Sequence, residues 1–217
     1  ATMSTENFNA MVNIGYNHQY MSNVLQLNNS NGSFSEIGQL SGIAKTDWSW
    51  APLIADFNND GWKDIFISNG IARRPNDLDY IDFISGDKAR NNPNLSDAAI
   101  VSEMPLGKVK NYFFSNNQDL TFENVTEIWS NVGAQITNGA AYADLDNDGD
   151  VDIVLNNQDE EASIYKNNAT NNFITFKLEG PNKNINGIGS TVQVFTKNLQ
   201  QSKTLFLSSL LCSSCSV

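Results

Sequence analysis

A nine-residue acidic pattern occurs twice in this chain of 217 residues, each time between two runs of β-forming residues. The first copy is Asp56-Phe57-Asn58-Asn59-Asp60-Gly61-Trp62-Lys63-Asp64, entered from Trp50-Ala51-Pro52-Leu53-Ile54-Ala55 and left through Ile65-Phe66-Ile67-Ser68-Asn69. The second is Asp144-Leu145-Asp146-Asn147-Asp148-Gly149-Asp150-Val151-Asp152, entered from Gly139-Ala140-Ala141-Tyr142-Ala143 and left through Ile153-Val154-Leu155-Asn156-Asn157. A strand, an acidic loop and a second strand thus form a recurring unit. Such recurrence restricts the fold more than local propensity does, because each copy must adopt the same supersecondary structure.

A hairpin completes the unit. Asn23 to Asn29 precedes Gly32 to Ile37, and Asn111 to Asn117 precedes Leu120 to Thr126; each pair is two alternating runs around an Asn/Gly/Asp turn. A partial third copy, Ala162 to Asn168, follows the second acidic loop. Four-stranded units repeated along a chain are propeller blades, because one small sheet cannot bury both faces without neighbours. The Asp56-to-Asp144 spacing exceeds the roughly 40 to 50 residues of common blade repeats, so a segment is inserted. Between Ile71 and Lys110 the alternation stops, and Leu78, Ile81 and Ile84 stand at helical spacing behind Pro75-Asn76. A second short helix is expected from Ser96 to Met104, stopped by Pro105. Six of the 13 basic residues and six acidic ones leave this insertion neutral, suited either to contacting a partner or to covering a blade edge.

Beyond Asn171 the blade texture ends. Two alternating runs, Asn172 to Pro181 and Asn186 to Phe195, joined by a Gly/Asn-rich turn, predict a separate small β module. The expected fold is therefore all-β: a partial, open β-propeller of four-stranded blades over 1–170 with a helical insertion at about 71–110, then the start of a small β domain over 171–217. Propellers close with roughly four to eight blades, and two blades and part of another predict a piece of a larger ring.

Both acidic loops fit D-x-[DN]-x-D-G-x-x-D. Alternate positions of a coiled loop point inward, glycine at position 6 permits the positive φ that reverses the chain, and position 7 can offer its carbonyl. Hard oxygen donors without sulfur or imidazole suit Ca²⁺ or Mg²⁺, and many oxygens from one short loop favour Ca²⁺. The expected ligands are Asp56, Asn58, Asp60 and Asp64 with the Trp62 carbonyl, and Asp144, Asp146, Asp148 and Asp152 with the Asp150 carbonyl. Four carboxylates against three make the second site the expected tighter one. An EF-hand would need a bidentate Glu at position 12 and flanking helices, whereas Ile67 and Leu155 stand there within strand-like runs. The competing reading is an ordinary Asn/Asp/Gly turn. Ligands from one contiguous loop leave no evident open position for substrate, so two structural Ca²⁺ sites are expected, in the calcium-rich extracellular space or cell envelope.

Composition narrows the partners. Twenty-four acidic against 13 basic residues give a net charge of −11, which disfavours nucleic acid. The longest apolar run, Thr204 to Leu211, is far short of the roughly twenty residues of a membrane span, and Ala1 to Glu6 lacks the pattern of a secretory signal. Cys212 and Cys215 form C-S-S-C in a Ser-rich terminus, and His18 is the single histidine, so zinc and thioredoxin-like chemistry are not expected. Trp48, Trp50 and Trp62 surround the first loop, fit for blade-interface packing or for stacking on sugars. Five Asn-x-Ser/Thr sequons begin at Asn28, Asn31, Asn94, Asn124 and Asn168.

Tyr20 to Asn29, Trp48 to Asp64, Asn138 to Asp144 and Gly187-Ile188-Gly189 resemble motifs of FG-GAP/VCBS repeats, the blades of integrin-α-type propellers, followed by the start of an ASPIC/UnbV domain. The combination is similar to cartilage-acidic-protein-like secreted proteins over about Gly15 to Gln200. That resemblance implies calcium at the loops and an extracellular or envelope location. It departs at Leu205 to Val217, a Leu/Ser/Cys-rich stretch unlike the family's continuation. The expected function is a non-catalytic, calcium-binding protein that engages protein or glycan. The alternatives are part of a polysaccharide-processing enzyme, or a purely architectural module.

Overall fold

The computed structural model describes residues 5–17, 20–86, 96–197 and 200–205. His18, Asn94-Leu95, Cys212, Cys215 and the tail from residue 206 onward lie outside the described residues. In chain order the elements are helix α1 (Thr5–Asn13), strands β1 (Gln26–Asn28), β2 (Phe34–Glu36), β3 (Ser49–Ala55) and β4 (Asp64–Asn69), and helices α2 (Leu78–Ser85) and α3 (Asp97–Ser102). Then come β5 (Tyr112–Asn116), β6 (Phe122–Asn124), helix α4 (Thr126–Trp129), and strands β7 (Thr137–Ala143), β8 (Asp152–Asn157), β9 (Ser163–Tyr165), β10 (Thr191–Phe195) and β11 (Gln200–Thr204).

The strands form antiparallel sheets in the orders β1-β2, β3-β4-β5-β6, β7-β8-β9 and β10-β11. The expected all-β, open, blade-like fold with a helical insertion is what forms. β1-β2 is the outer hairpin of one blade, β3 to β6 make a complete four-stranded blade, and β7 to β9 make three strands of the next. Inner strands β3 and β7 run side by side, so neighbouring blades meet along them. Equivalent elements share their irregularities: the register slips between Ser49 and Pro52 in one blade and between Thr137 and Gly139 in the next. Pro52 is tolerated because β3 is the edge strand of its sheet, where a missing N–H breaks no inner ladder.

The complete blade is buried on both faces. Pairing sets Ile65 opposite Phe114 and Phe66 opposite Phe113, and successive residues of a strand point to opposite sides. Phe66 and Phe113, with ring centroids 4.8 Å apart, meet Val151, Ile153 and Leu155 of the next blade. Ile65, Ile67 and Phe114 face Leu25 and Ile43, which flank the preceding hairpin. This is why β4 carries three consecutive apolar residues, Ile65-Phe66-Ile67, rather than an alternation.

A polar seam crosses the blades at the end away from the acidic loops. Asn23 Nδ2 donates to Thr46 Oγ1 (2.6 Å), and Thr46 pairs with Ser49 Oγ (2.6 Å). The Ser49 hydroxyl donates to Asn69 Oδ1 (3.0 Å), the Asn69 N–H to Asn111 Oδ1 (2.9 Å), and Asn111 Nδ2 to Thr137 Oγ1 (3.1 Å). Thr137 Oγ1 donates to Asn157 Oδ1 (2.8 Å). Ser49/Asn69 and Thr137/Asn157 are equivalent cross-strand pairs of successive blades. Buried polar groups of this kind specify alignment because each one left unpaired costs about 1–3 kcal/mol.

The insertion forms the expected helices, capped by Asp77, which accepts from the Tyr80 N–H (3.0 Å), and by Ser96, which accepts from the Ala99 N–H (3.2 Å). The apolar spacing does not mark the buried face: Tyr80 is the buried side chain of α2, whereas Leu78 is 77% exposed and Ile81 and Ile84 also reach solvent. Helical spacing fixes which residues share a face, not which face the rest of the fold covers. The tryptophans also depart from a core reading: Trp50 and Trp62 are exposed, and Trp50 Nε1 donates to the Gly70 carbonyl (2.5 Å). Trp129 instead packs edge-on against Phe113.

The C-terminal part pairs otherwise than the sequence predicts. Asn172 to Pro181 forms no ladder strand, and β10 pairs forward with β11, Thr191 opposite Thr204. In this stretch the Phe173 ring lies on Gly149 of the second acidic loop, so the segment contacts the blades.

Phe66→Ala removes a fully buried ring shared by two blades and is expected to cost about 3–5 kcal/mol. Ile54→Ala, at a half-exposed position of β3, is expected to cost under about 1 kcal/mol. Urea-unfolding midpoints check the pair, and equal losses would reject the inter-blade core.

Candidate metal centre

Each acidic loop joins the first two strands of its blade, and both adopt the same backbone path. Positions 4 and 6 are left-handed in each: Asn59 at φ +55° and Gly61 at +94°, Asn147 at +61° and Gly149 at +92°. Asparagine tolerates this region better than other non-glycine residues, so the Asn at position 4 was a second turn signal beside the glycine.

Carboxylates organise the path. Asp56 Oδ2 accepts the Gly61 N–H (2.8 Å), and Asp144 Oδ2 accepts the Gly149 N–H (3.1 Å). Asp60 Oδ1 accepts the Trp62 N–H (2.8 Å), and Asp148 Oδ1 accepts the Asp150 N–H (3.4 Å). The position-9 acids brace the loop to the blade. Asp64 accepts from the N–H groups of Phe57 and Asn116 (both 3.0 Å), and Asp152 from those of Leu145 (3.0 Å) and Asn167 (2.8 Å). In each case one oxygen holds the loop's second residue and the other holds the blade's third strand or the residues just after it.

The second loop concentrates charge. Ligand oxygens of Asp144, Asp146 and Asp148 all lie within 4.8 Å of one another, a group that could hold a metal ion. Oxygens around one Ca²⁺ at about 2.3–2.6 Å can be no more than about 5 Å apart, so this spacing and the all-oxygen donor set fit that ion. Lys166 donates to Asp146 Oδ2 and stands 3.6 Å from Asp148 Oδ2, a cation already drawn into the cluster. Its hydrogen bond holds the Asp146 carboxyl below the usual range. Asp150, expected to contribute only its carbonyl, has a buried side chain that accepts the Ala169 N–H (2.9 Å). Burial, aided by the neighbouring Asp148 carboxylate, pushes Asp150 up to about 6. Nothing in the x-position pattern marked that side chain; only its burial does.

In the first loop the third position is an amide. Asn58 Oδ1 and Asp56 Oδ1 both accept the Asp60 N–H (3.0 Å each), and Asn58 Nδ2 donates to Asp60 Oδ2 (3.1 Å). Burial pushes Asp64 up to about 6 and raises Asp56, and the neighbouring Asp60 carboxylate adds to both shifts. Trp62, whose carbonyl was an expected ligand, keeps its ring partly in solvent.

The two loops touch, and one stretch of chain ties them together. Asn59 Nδ2 donates to the Gly149 carbonyl (3.3 Å). Asn167 Nδ2 donates to the carbonyls of Phe57 (2.6 Å) and Val151 (3.2 Å), one in each loop, and Asn171 Nδ2 donates to that of Asn58 (2.8 Å). No local pattern marks this strap, because its partners in the first loop lie more than a hundred residues away.

A carboxyl raised by burial binds its proton more tightly folded than unfolded. Its contribution to stability is therefore fully present below about pH 4 and lost as pH rises through about 6. In chelator, the melting temperature is expected to fall between about pH 4 and 6, and Asp64→Asn is expected to flatten that fall. Identical slopes in thermal melts of the two proteins would reject the assignment.

The chain matches the model of the FG-GAP-like repeat over residues 11–67 and 91–155. Each matched stretch contains one acidic loop with the strand before it and most of the strand after it. No curated protein matches the chain. Among the described residues, no helix is long and apolar enough to cross a membrane. With the repeat covering more than half of its length, the chain belongs to the FG-GAP-like repeat family.

Proposed function

We propose that this chain is a calcium-stabilised, non-catalytic propeller module of a secreted or cell-surface protein, binding protein or glycan through loops at one end of its blades. FG-GAP repeats suggest propeller-like modules often used in adhesion or ligand binding. The observation that carries the calcium reading is the convergence of Asp144, Asp146 and Asp148 in a loop whose geometry recurs in the preceding blade. Asp144, Asp146, Asp148 and Asp152 with the Asp150 carbonyl would hold one ion; Asp56, Asn58, Asp60 and Asp64 with the Trp62 carbonyl would hold the other. A bound divalent ion supplies positive charge that relieves the mutual repulsion of these acids.

The protein's own groups do the rest. Asp64 and Asp152 keep each loop seated on its blade, and Asn167 and Asn171 hold the loops against each other. Rigid loops at a blade end are a usual place for recognition, since the sheets beneath fix their geometry. Residues 1–170 form the propeller part in this reading. Residues 171–217 begin an ASPIC/UnbV-like module of the cartilage-acidic-protein-like kind, whose hairpin β10-β11 approaches the first loop across a cavity of about 200 Å³ lined by Asp56, Asp60, Phe173, Val194 and Gln201.

Asp148→Ala is expected to lower the melting temperature in saturating calcium by several degrees and to leave it nearly unchanged in chelator. Equal losses in both would reject calcium at the second loop. Binding to an array of glycans, read with and without chelator, tests the recognition role; turnover of any polysaccharide on the array would favour the enzyme reading instead.

A further inference from the structure

The two blades differ in the residue that faces the acidic loop from the third strand. Asp152 Oδ1 accepts the N–H of Asn167, and its equivalent Asp64 Oδ1 accepts the N–H of Asn116. The residue before each is therefore equivalent: Lys166 in the second blade, Ser115 in the first. Lys166 donates to Asp146 Oδ2 and lies 3.6 Å from Asp148 Oδ2, so its ammonium shares two of the three converging carboxylates. Ser115 brings no charge to the first loop.

We propose that Lys166 is a resident counter-cation of the second loop that a metal ion must displace, so this loop binds divalent cations more weakly than its carboxylates alone would dictate. The inference rests on the calcium reading given above. An ammonium and a divalent ion cannot share Asp146 and Asp148 without strong repulsion. The backbone on either side is held fast: Tyr165 packs on the inter-blade core, and Asn167 is bonded to Phe57, Val151 and Asp152. Displacement therefore falls to the flexible side chain, which is 57% exposed and free to swing into water. The charge-count expectation of a tighter second site is correspondingly reduced or reversed.

The test uses the full chain and its Lys166→Ser and Lys166→Arg variants, titrated with calcium and followed by NMR at the Gly61 and Gly149 amides, which report the loops separately. Lys166→Ser, which copies the first blade, is expected to tighten binding at Gly149 about two- to fivefold, as loss of an exposed ion pair allows. Lys166→Arg keeps charge and contact and is expected to stay near the parent value, and Gly61 is expected not to move between proteins. Calcium binding at Gly149 with the same midpoint in Lys166→Ser and parent would overturn the inference and leave the calcium reading intact. Equal tightening at both glycines would also overturn it, since that marks a general field effect rather than occupancy. Silence of both glycines towards calcium in all three proteins would instead overturn the calcium reading itself.

Discussion

A carboxylate at the end of each acidic loop, accepting two backbone N–H groups, is the interaction on which the rest of the arrangement depends. Asp64 and Asp152 each join the second residue of the loop to the third strand of the blade or its immediate continuation. A buried N–H left unpaired is costly, so one side chain here satisfies two donors and fixes a loop that would otherwise wander. The remaining loop acids are then held at set positions. Asp144, Asp146 and Asp148 converge in the loop whose start Asp152 holds through the Leu145 N–H.

Blade packing supplies the platform. β4 is buried on both faces, with Phe66 against the following blade and Ile65 and Ile67 against residues that flank the preceding hairpin. The polar seam from Asn23 to Asn157 fixes how the blades align, a task that interchangeable apolar contacts do less selectively. One end of the sheets therefore carries paired amides and hydroxyls, and the other carries concentrated negative charge. This separation leaves the acidic end with unbalanced charge and makes it the natural place for cations.

Electrostatics at that end is already partly balanced within the chain. Lys166 neutralises part of the second loop, whereas the first loop lowers its demand by using Asn58 in place of a third inner carboxylate. The two blades thus reach similar backbone geometry with different charge, and the strap from Asn167 to Phe173 joins them into one surface.

Much of this was legible in the sequence. The repeated acidic pattern, its flanking strands, the hairpins and the capped helices of the insertion all follow from local periodicity and turn chemistry, which act over a few residues. Leu78, Ile81 and Ile84 show where that stops: their spacing determined a helix, but the side it presents to the protein depended on what packs there. Asn172 to Pro181 shows the same limit, having the alternation of a strand yet placing Phe173 on Gly149. By itself the sequence determined the units and their turns, because backbone conformation answers to neighbours in the chain. Only the tertiary structure decided that Lys166 enters the second loop, that Asp150 is buried, and that Asn167 grips both loops, because strand pairing within the blade brings Lys166 to Asp146, 20 residues away, and the meeting of two blades brings Asn167 to Phe57, 110 residues away.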